Sequence, residues 1–196
     1  AGTVAKVVGK LADISRQRSR EQELREQAMR DVLTGIYNKA GEKLIDRMVK
    51  EKGQGLFLML DLNDFKSIND TMGHAAGDAI LTEMGRVLKG ACRENDIVAR
   101  IGGDEFVMFL PGAFDWQTGK RKIGEIQDSL RTVMITTWGI RGIRASIGAA
   151  LCPEDGMDYE TLFKAADEAM YLDKEQSKNR NESREAGEEK QDRTIS

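Results

Sequence analysis

Apolar residues arrive in short bursts along this chain, and no uninterrupted run exceeds five residues. Leu56-Phe57-Leu58-Met59-Leu60 is one such run. Side chains alternate sides along a strand, so five apolar residues in a row predict a central strand buried on both faces. Ile97 to Ile101 and Phe106 to Leu110 read as two further strands, joined through Gly102-Gly103-Asp104-Glu105 as a hairpin with a glycine-containing turn. Ile143 to Leu151 reads as another strand, and Val4 to Ile14 as a short one near the start. Elsewhere the apolar positions recur at helical spacing. Ala40 to Lys50 carries Leu44, Ile45, Met48 and Val49 on one face and ends at Gly53. Ala79 to Cys92 turns Ile80, Met84, Val87 and Leu88 inward. Lys120 to Met134 does the same with Ile123, Ile126, Leu130 and Val133, and Tyr159 to Glu175 makes a last amphipathic helix. Ser15 to Asp31 is charged, free of Gly and Pro, and has only a thin apolar edge at Leu24, Ala28 and Val32. It reads as a solvated linker helix or as one that pairs with its own copy. Strands and helices are mixed, with at least one hairpin, which predicts an α+β sheet covered by helices.

Composition narrows the partners. The chain has 196 residues, 40% of them hydrophobic, and a formal net charge of -3. A negative balance argues against a nucleic-acid backbone as partner, although a nucleotide needs only a few local cations. The apolar runs are far too short to span a bilayer, so no direct membrane contact is expected of this segment. The two cysteines, Cys92 and Cys152, lie in no metal-binding spacing, and free thiols fit a cytoplasmic setting. No secretory signal is visible. The chain begins abruptly, as the cytoplasmic portion of a larger sensor protein would. From Asn181 onward the residues are polar and charged, the composition of a disordered tail.

The candidate chemistry lies at the strand ends. Asp61 directly follows the fully apolar run, where a carboxylate is costly to bury unless paired or bound to metal. Asp104 and Glu105 are consecutive carboxylates at the hairpin tip, and they repel unless solvent or a cation intervenes. If the Asp61 strand lies beside the hairpin, these carboxylates meet at one rim. Hard oxygen ligands with room for phosphates suit Mg²⁺ and metal-assisted phosphoryl transfer.

Gly102-Gly103-Asp104-Glu105-Phe106 resembles the signature of the GGDEF family of diguanylate cyclases. Further segments match in order: Asp31 to Asn38, Asp61 to Asp70, Gly73-His74, Gly77-Asp78, Ser146-Ile147-Gly148, Pro153 to Gly156 and Ala166 to Tyr171. The resemblance covers about Asp31 to Asn179. It implies a mainly antiparallel sheet of the nucleotidyl cyclase and polymerase-palm type, ferredoxin-like in layout. It implies that two GTP are condensed to cyclic di-GMP with release of two pyrophosphates. Mg²⁺, with Mn²⁺ an acceptable substitute, would sit on Asp61, the Leu62 carbonyl, Asp104 and Glu105, and Asp104 would help activate the 3′-hydroxyl. Asn69 and Asp78 would read guanine, while Phe65, Lys66, Lys174 and Lys178 would hold the rest of the nucleotide. His74, the sole histidine, is read as a loop residue with a structural role and not as a general base. Asp78 could in addition cap a helix.

Arg93-Glu94-Asn95-Asp96 stands where the family places a product-inhibition site, so Arg93 and Asp96, assisted by Arg100, would bind cyclic di-GMP. One nucleotide site per chain and a symmetric product imply a homodimer. Val8 to Ser15 resembles the closing strand of a PAS sensor domain. The organisation expected is therefore 1–30, sensor end and linker helix; 31–179, cyclase domain; 180–196, tail. Lys39, Asn63, Asp173, Ser177 and Lys178 depart from the usual pattern, without removing a metal ligand. The alternative is a catalytically silent module that binds GTP or cyclic di-GMP, against which intact Asp61, Asp104 and Glu105 argue.

Overall fold

A computed structural model of the chain describes residues 16–112, 114–138 and 144–174. Residues 16–28 form a helix, α1, that is exposed along its whole length. Its polar side chains bond along it, Gln17 to Glu21 at 3.1 Å and Gln22 to Glu26 at 3.3 Å. A separate compact unit begins at Asp31. Its elements are α2 (Gly41–Lys52), β1 (Gly55–Leu62), α3 (Phe65–Met72), α4 (His74–Gly90), β2 (Ile97–Arg100), β3 (Glu105–Pro111), α5 (Trp116–Trp138) and β4 (Ala145–Cys152). A last helix, α6, covers residues 159–174.

The four strands form one sheet in the order β2-β3-β1-β4, every neighbouring pair antiparallel. With helices between β1 and β2 and between β3 and β4, this is the ferredoxin-like arrangement, and the α+β expectation holds. β1 lies inside the sheet and Leu56, Phe57, Leu58, Met59 and Leu60 are all buried. Its even positions, with Phe106, Met108 and Leu110 of β3, pack on Ile80, Met84 and Leu88 of α4 and Ile126, Leu130 and Met134 of α5. Its odd positions, Phe57 and Met59, with Val107 and Phe109, pack on Ile45 and Val49 of α2 and Leu162, Ala166 and Met170 of α6. The two faces are thus covered by different helices, and the odd face carries Asp61 onward from Met59. Among the described residues no helix is long and apolar enough to cross a membrane.

The hydrophobic pattern passes over one helix, and the readings of His74 and Asp78 need correction. Phe65–Met72 is helical, although its Asn, Asp, Ser and Thr favour turns. The packing of Phe65 and Ile68 on the core outweighs that preference. α4 begins at His74, after Gly73 at φ 84, so His74 is the first residue of a helix and Asp78 lies a turn inside it, where it caps nothing. The expected strand at Val4 to Ile14, the PAS-like Val8 to Ser15, Ser177, Lys178 and the polar tail lie outside the described residues.

Candidate active site

β1 and β3 run side by side in a register that sets Asp61 directly opposite Glu105. Facing residues of an antiparallel pair share one side of the sheet, so both carboxylates project toward the α6 face. β4 flanks β1 on its other edge and places Ser146 opposite Asp61. From above, α6 delivers Lys174, whose Nζ lies 2.8 Å from Asp61 Oδ1. Asp61, Glu105, Asp167, Met170, Tyr171 and Lys174 line an open cleft of about 640 Å³.

The electrostatics of this cleft follow from burial. Burial pushes the Asp61 carboxyl above its ordinary pKa, opposed by the Lys174 ammonium and reinforced by the charge of Asp104. Burial also raises Glu105, and the charges of Asp61, Asp104 and Asp167 push it further in the same direction. Lys174 opposes that shift as well. Half-buried carboxylates that repel one another and share one ammonium fit a hard divalent cation, which would supply the missing positive charge. The side chains are not drawn in to a finished coordination shell: among the described residues, no three metal-ligating side chains converge on one point. Leu62 follows Asp61 on β1 and is buried.

The other candidate residues stand on α3 and α4. Asp64 turns the chain from β1 into α3 with φ 59, a left-handed conformation that Asp tolerates better than most residues. Phe65 and Asn69 lean on α4 at Gly77. A Cβ at Gly77 would overlap Asn69 Oδ1 and meet the Phe65 ring at 3.1 Å. The amide of Asn69 therefore lies against the residue preceding Asp78, whose side chain is exposed. Lys66 is also exposed. Asn63 turns to β4: its Oδ1 accepts the buried Ser146 hydroxyl at 2.9 Å, and its N–H donates to the Arg144 carbonyl at 2.9 Å.

A second group lies at the far end of β2. Arg93 N–H donates to Asp96 Oδ2 at 2.7 Å. Arg93 and Asp96 share a groove with Thr118, Arg121 and Lys122 of α5. Arg121 and Lys122 escaped the sequence reading, because only the packing of α5 brings them to the R-x-x-D turn. Arg100 does not join this group. It ends β2 at the opposite end, bonded to Asp31 and to the Gly103 carbonyl. The cysteines are free, and burial pushes the Cys92 thiol up to about 11, so it stays protonated.

A family described as "Diguanylate cyclase, GGDEF domain" matches residues 28–180. Diguanylate cyclase DgcS of Shewanella oneidensis is 33% identical over 165 residues, 81% of this chain and 53% of that protein. Diguanylate cyclase TpbB of Pseudomonas aeruginosa is 34% identical over 161 residues, 79% of this chain and 37% of its own length. The chain thus spans about half of the first relative and about a third of the second. Among solved structures, the coiled coil and GGDEF domain of DgcB from Caulobacter crescentus, in complex with c-di-GMP, superposes with a TM-score of 0.72 at 26% identity. It covers 89% of this chain and 95% of that one. The isolated GGDEF domain of TpbB superposes with a TM-score of 0.63 at 34% identity, covering 75% and 89%. With the Gly102-Gly103-Asp104-Glu105-Phe106 turn set beside Asp61 on this sheet, the chain belongs to the GGDEF family of diguanylate cyclase domains.

Proposed function

We propose that this domain condenses two GTP into cyclic di-GMP, working as a homodimer with Mg²⁺. The observation that carries the reading is the facing pair Asp61 and Glu105, crossed by Lys174, at the end of the central strand. Asp61, the Leu62 carbonyl, Asp104 and Glu105 are the groups that would hold the ion. Bound there, it would lower the pKa of an attacking hydroxyl and neutralise charge on the phosphate oxygens.

The chain's own groups do the remainder. Asn69 and Asp78 offer an amide and a carboxylate to the N1, N2 and O6 edge of guanine. Lys66 and Lys174, with Lys178 beyond the described residues, place ammonium groups on the triphosphate, and Lys174 exchanges its bond to Asp61 for one to phosphate. Asp104 takes the proton of the 3′-hydroxyl as its oxygen bonds to the α-phosphorus of the second nucleotide. The bond to pyrophosphate breaks, and the negative charge leaves with it. Two such steps close the ring. Each chain presents one nucleotide, so two copies must face each other about a two-fold axis, with reacting atoms within about 3–3.5 Å. The product then returns to Arg93 and Asp96, with Arg121 and Lys122 beside them, and slows the enzyme. The complex of DgcB with c-di-GMP supports cyclic di-GMP as a ligand of this fold.

Mass analysis of product after incubation with GTP and Mg²⁺ tests the reading. Cyclic di-GMP is expected, with a rate that rises faster than linearly with protein concentration. Arg93→Ala should keep the initial rate and lose the slowing that accumulating product imposes. GTP binding by a demonstrated dimer without product would replace the cyclase by a silent nucleotide-binding module.

Gly77→Ala tests base reading separately. The added methyl overlaps Asn69 Oδ1 and must push the amide off the guanine edge. The KM for GTP should rise about 10-fold, a loss comparable to one hydrogen bond to a charged or polar base edge. Discrimination of GTP against ITP should shrink with it. An unchanged GTP-to-ITP ratio would remove Asn69 from base recognition.

A further inference from the structure

Arg100 is the residue that the R-x-x-D group gave up, and its contacts define another task. Nε and Nη2 both donate to the Gly103 carbonyl, at 3.0 and 2.8 Å. Nη1 donates to Asp31, at 3.2 Å to Oδ1 and 3.4 Å to Oδ2. The backbone N–H of Arg100 donates to the Tyr37 carbonyl at 2.8 Å, and Tyr37 N–H donates to Val98 O at 3.2 Å. One residue thus ties three pieces together: the end of β2, residues 31–37 laid along its edge, and the glycine turn that presents Asp104 and Glu105. Its side chain is 15% exposed.

Both ends of this tie matter. The turn between β2 and β3 is closed at its base by Ile101 N–H to Glu105 O at 3.0 Å. Gly103 has open space around its missing Cβ, so no side-chain packing fixes its peptide plane. The guanidinium fork does so, gripping one carbonyl with two donors. Asp31 is itself immobilised, accepting Thr34 N–H at 2.9 Å and Thr34 Oγ1–H at 2.7 Å. Burial would raise the Asp31 carboxyl, but the Thr34 and Arg100 bonds outweigh it and hold the pKa below the ordinary value. Asp31 also opens the compact unit, immediately after the segment that carries α1.

We propose that Arg100 is a positioning residue for the metal-binding turn. Through Gly103 it sets where Asp104 and Glu105 present their carboxylates, and its bond to Asp31 holds the guanidinium in place while it does so. The proposal rests on the reading that Asp104 and Glu105 hold the ion, so its test includes a measurement other than turnover.

That measurement is Mn²⁺ binding, followed by electron paramagnetic resonance with a non-hydrolysable GTP analogue present. Parent, Arg100→Lys and Thr34→Val are compared. Lysine keeps the charge near Asp31 but cannot grip Gly103 with a fork. Arg100→Lys is expected to bind Mn²⁺ about 10-fold more weakly, the usual effect of losing a group that orients a metal ligand. Its kcat should fall about as much, with KM for GTP within about two-fold. Thr34→Val loosens the same N-terminal turn without touching Gly103. It should lower Tm while Mn²⁺ affinity stays at the parent value. Equal Mn²⁺ affinity in parent and Arg100→Lys overturns the proposal, and so does an equal loss in Thr34→Val. A parent that binds no Mn²⁺ overturns it too. A parent that binds Mn²⁺ but forms no cyclic di-GMP fails the cyclase reading alone, and the comparison of affinities still decides the role of Arg100.

Discussion

Glu105→Gln is expected to abolish cyclic di-GMP formation, by a factor on the order of 10³ or more, and yet to raise the melting temperature in metal-free buffer. The loss of activity follows from removing a charged oxygen from the proposed metal site, since a bound cation there would supply several kcal/mol of transition-state stabilisation. The gain in stability follows from the sign of the pKa shift. Burial, then the charges of Asp61, Asp104 and Asp167, raise the Glu105 carboxyl above its ordinary value. A carboxyl with a raised folded-state pKa favours folding while it is protonated. That contribution is complete below the unfolded pKa and is lost as pH rises through the folded one. At neutral pH the ionised Glu105 therefore opposes folding. Glutamine has nearly the same shape without the charge; solvent screens so exposed a group, so the relief stays under about 1 kcal/mol and Tm should rise by about 2 °C in a domain of this size. Differential scanning fluorimetry with EDTA reads this directly. Two further results should accompany it. Mg²⁺ should stabilise the parent more than the variant, because the ion relieves the same repulsion. The difference between parent and variant should vanish as pH falls through the carboxylate range. A variant less stable than the parent at pH 7 would mean that Glu105 makes a favourable contact stronger than the repulsion around it.

This conflict between stability and chemistry was legible in part from the chain alone. A fully apolar run ending in Asp61, and two carboxylates after two glycines, carry their cost in the local sequence, and a hairpin places its own partners. The pairing of Asp61 with Glu105 was conditional on the two strands being neighbours, and the β1–β3 register meets that condition. Lys174 was named from motif position, but its bond to Asp61 joins residues 113 positions apart through the packing of α6, which no local pattern encodes. Arg121 and Lys122 were invisible for the same reason. Arg100 was assigned to the wrong end of its strand because seven positions separate it from Arg93 in sequence, and an extended strand turns a short sequence distance into a long spatial one. The short helix Phe65–Met72 was missed because its residues prefer turns and only burial of Phe65 and Ile68 overrides them. Local patterns thus located the chemical groups, and tertiary packing decided which of them meet.

The same dependence on packing makes Gly148, two residues along β4 from the partner of Asp61, a sensitive position for stability. Gly148→Ala is expected to destabilise the domain by about 3 kcal/mol, at the upper end of what one extra methyl costs in a packed core. Gly148 lies in β4, buried, paired with Met59 on the face that α6 covers. A Cβ there would overlap the Ala166 carbonyl oxygen and would meet Met170 N at 2.6 Å and Met170 Cβ at 2.7 Å. Two of those atoms are helix backbone, so no rotamer change relieves the clash, and α6 must lift as a body. Lys174 stands one turn beyond Met170 on that helix, so lifting α6 also withdraws the ammonium from Asp61 and from the triphosphate it is proposed to hold. Urea unfolding should show a lower midpoint, and the surviving folded fraction should have a raised KM for GTP. Gly124→Ala provides the opposite case: it lies within α5 with nothing within 4 Å of its missing Cβ. Alanine there should stabilise by about 0.5–1 kcal/mol through helix propensity alone. A parent-like midpoint for Gly148→Ala would mean that α6 seats on β4 through side chains and not backbone to backbone. The position of Lys174 over Asp61 would then need another support.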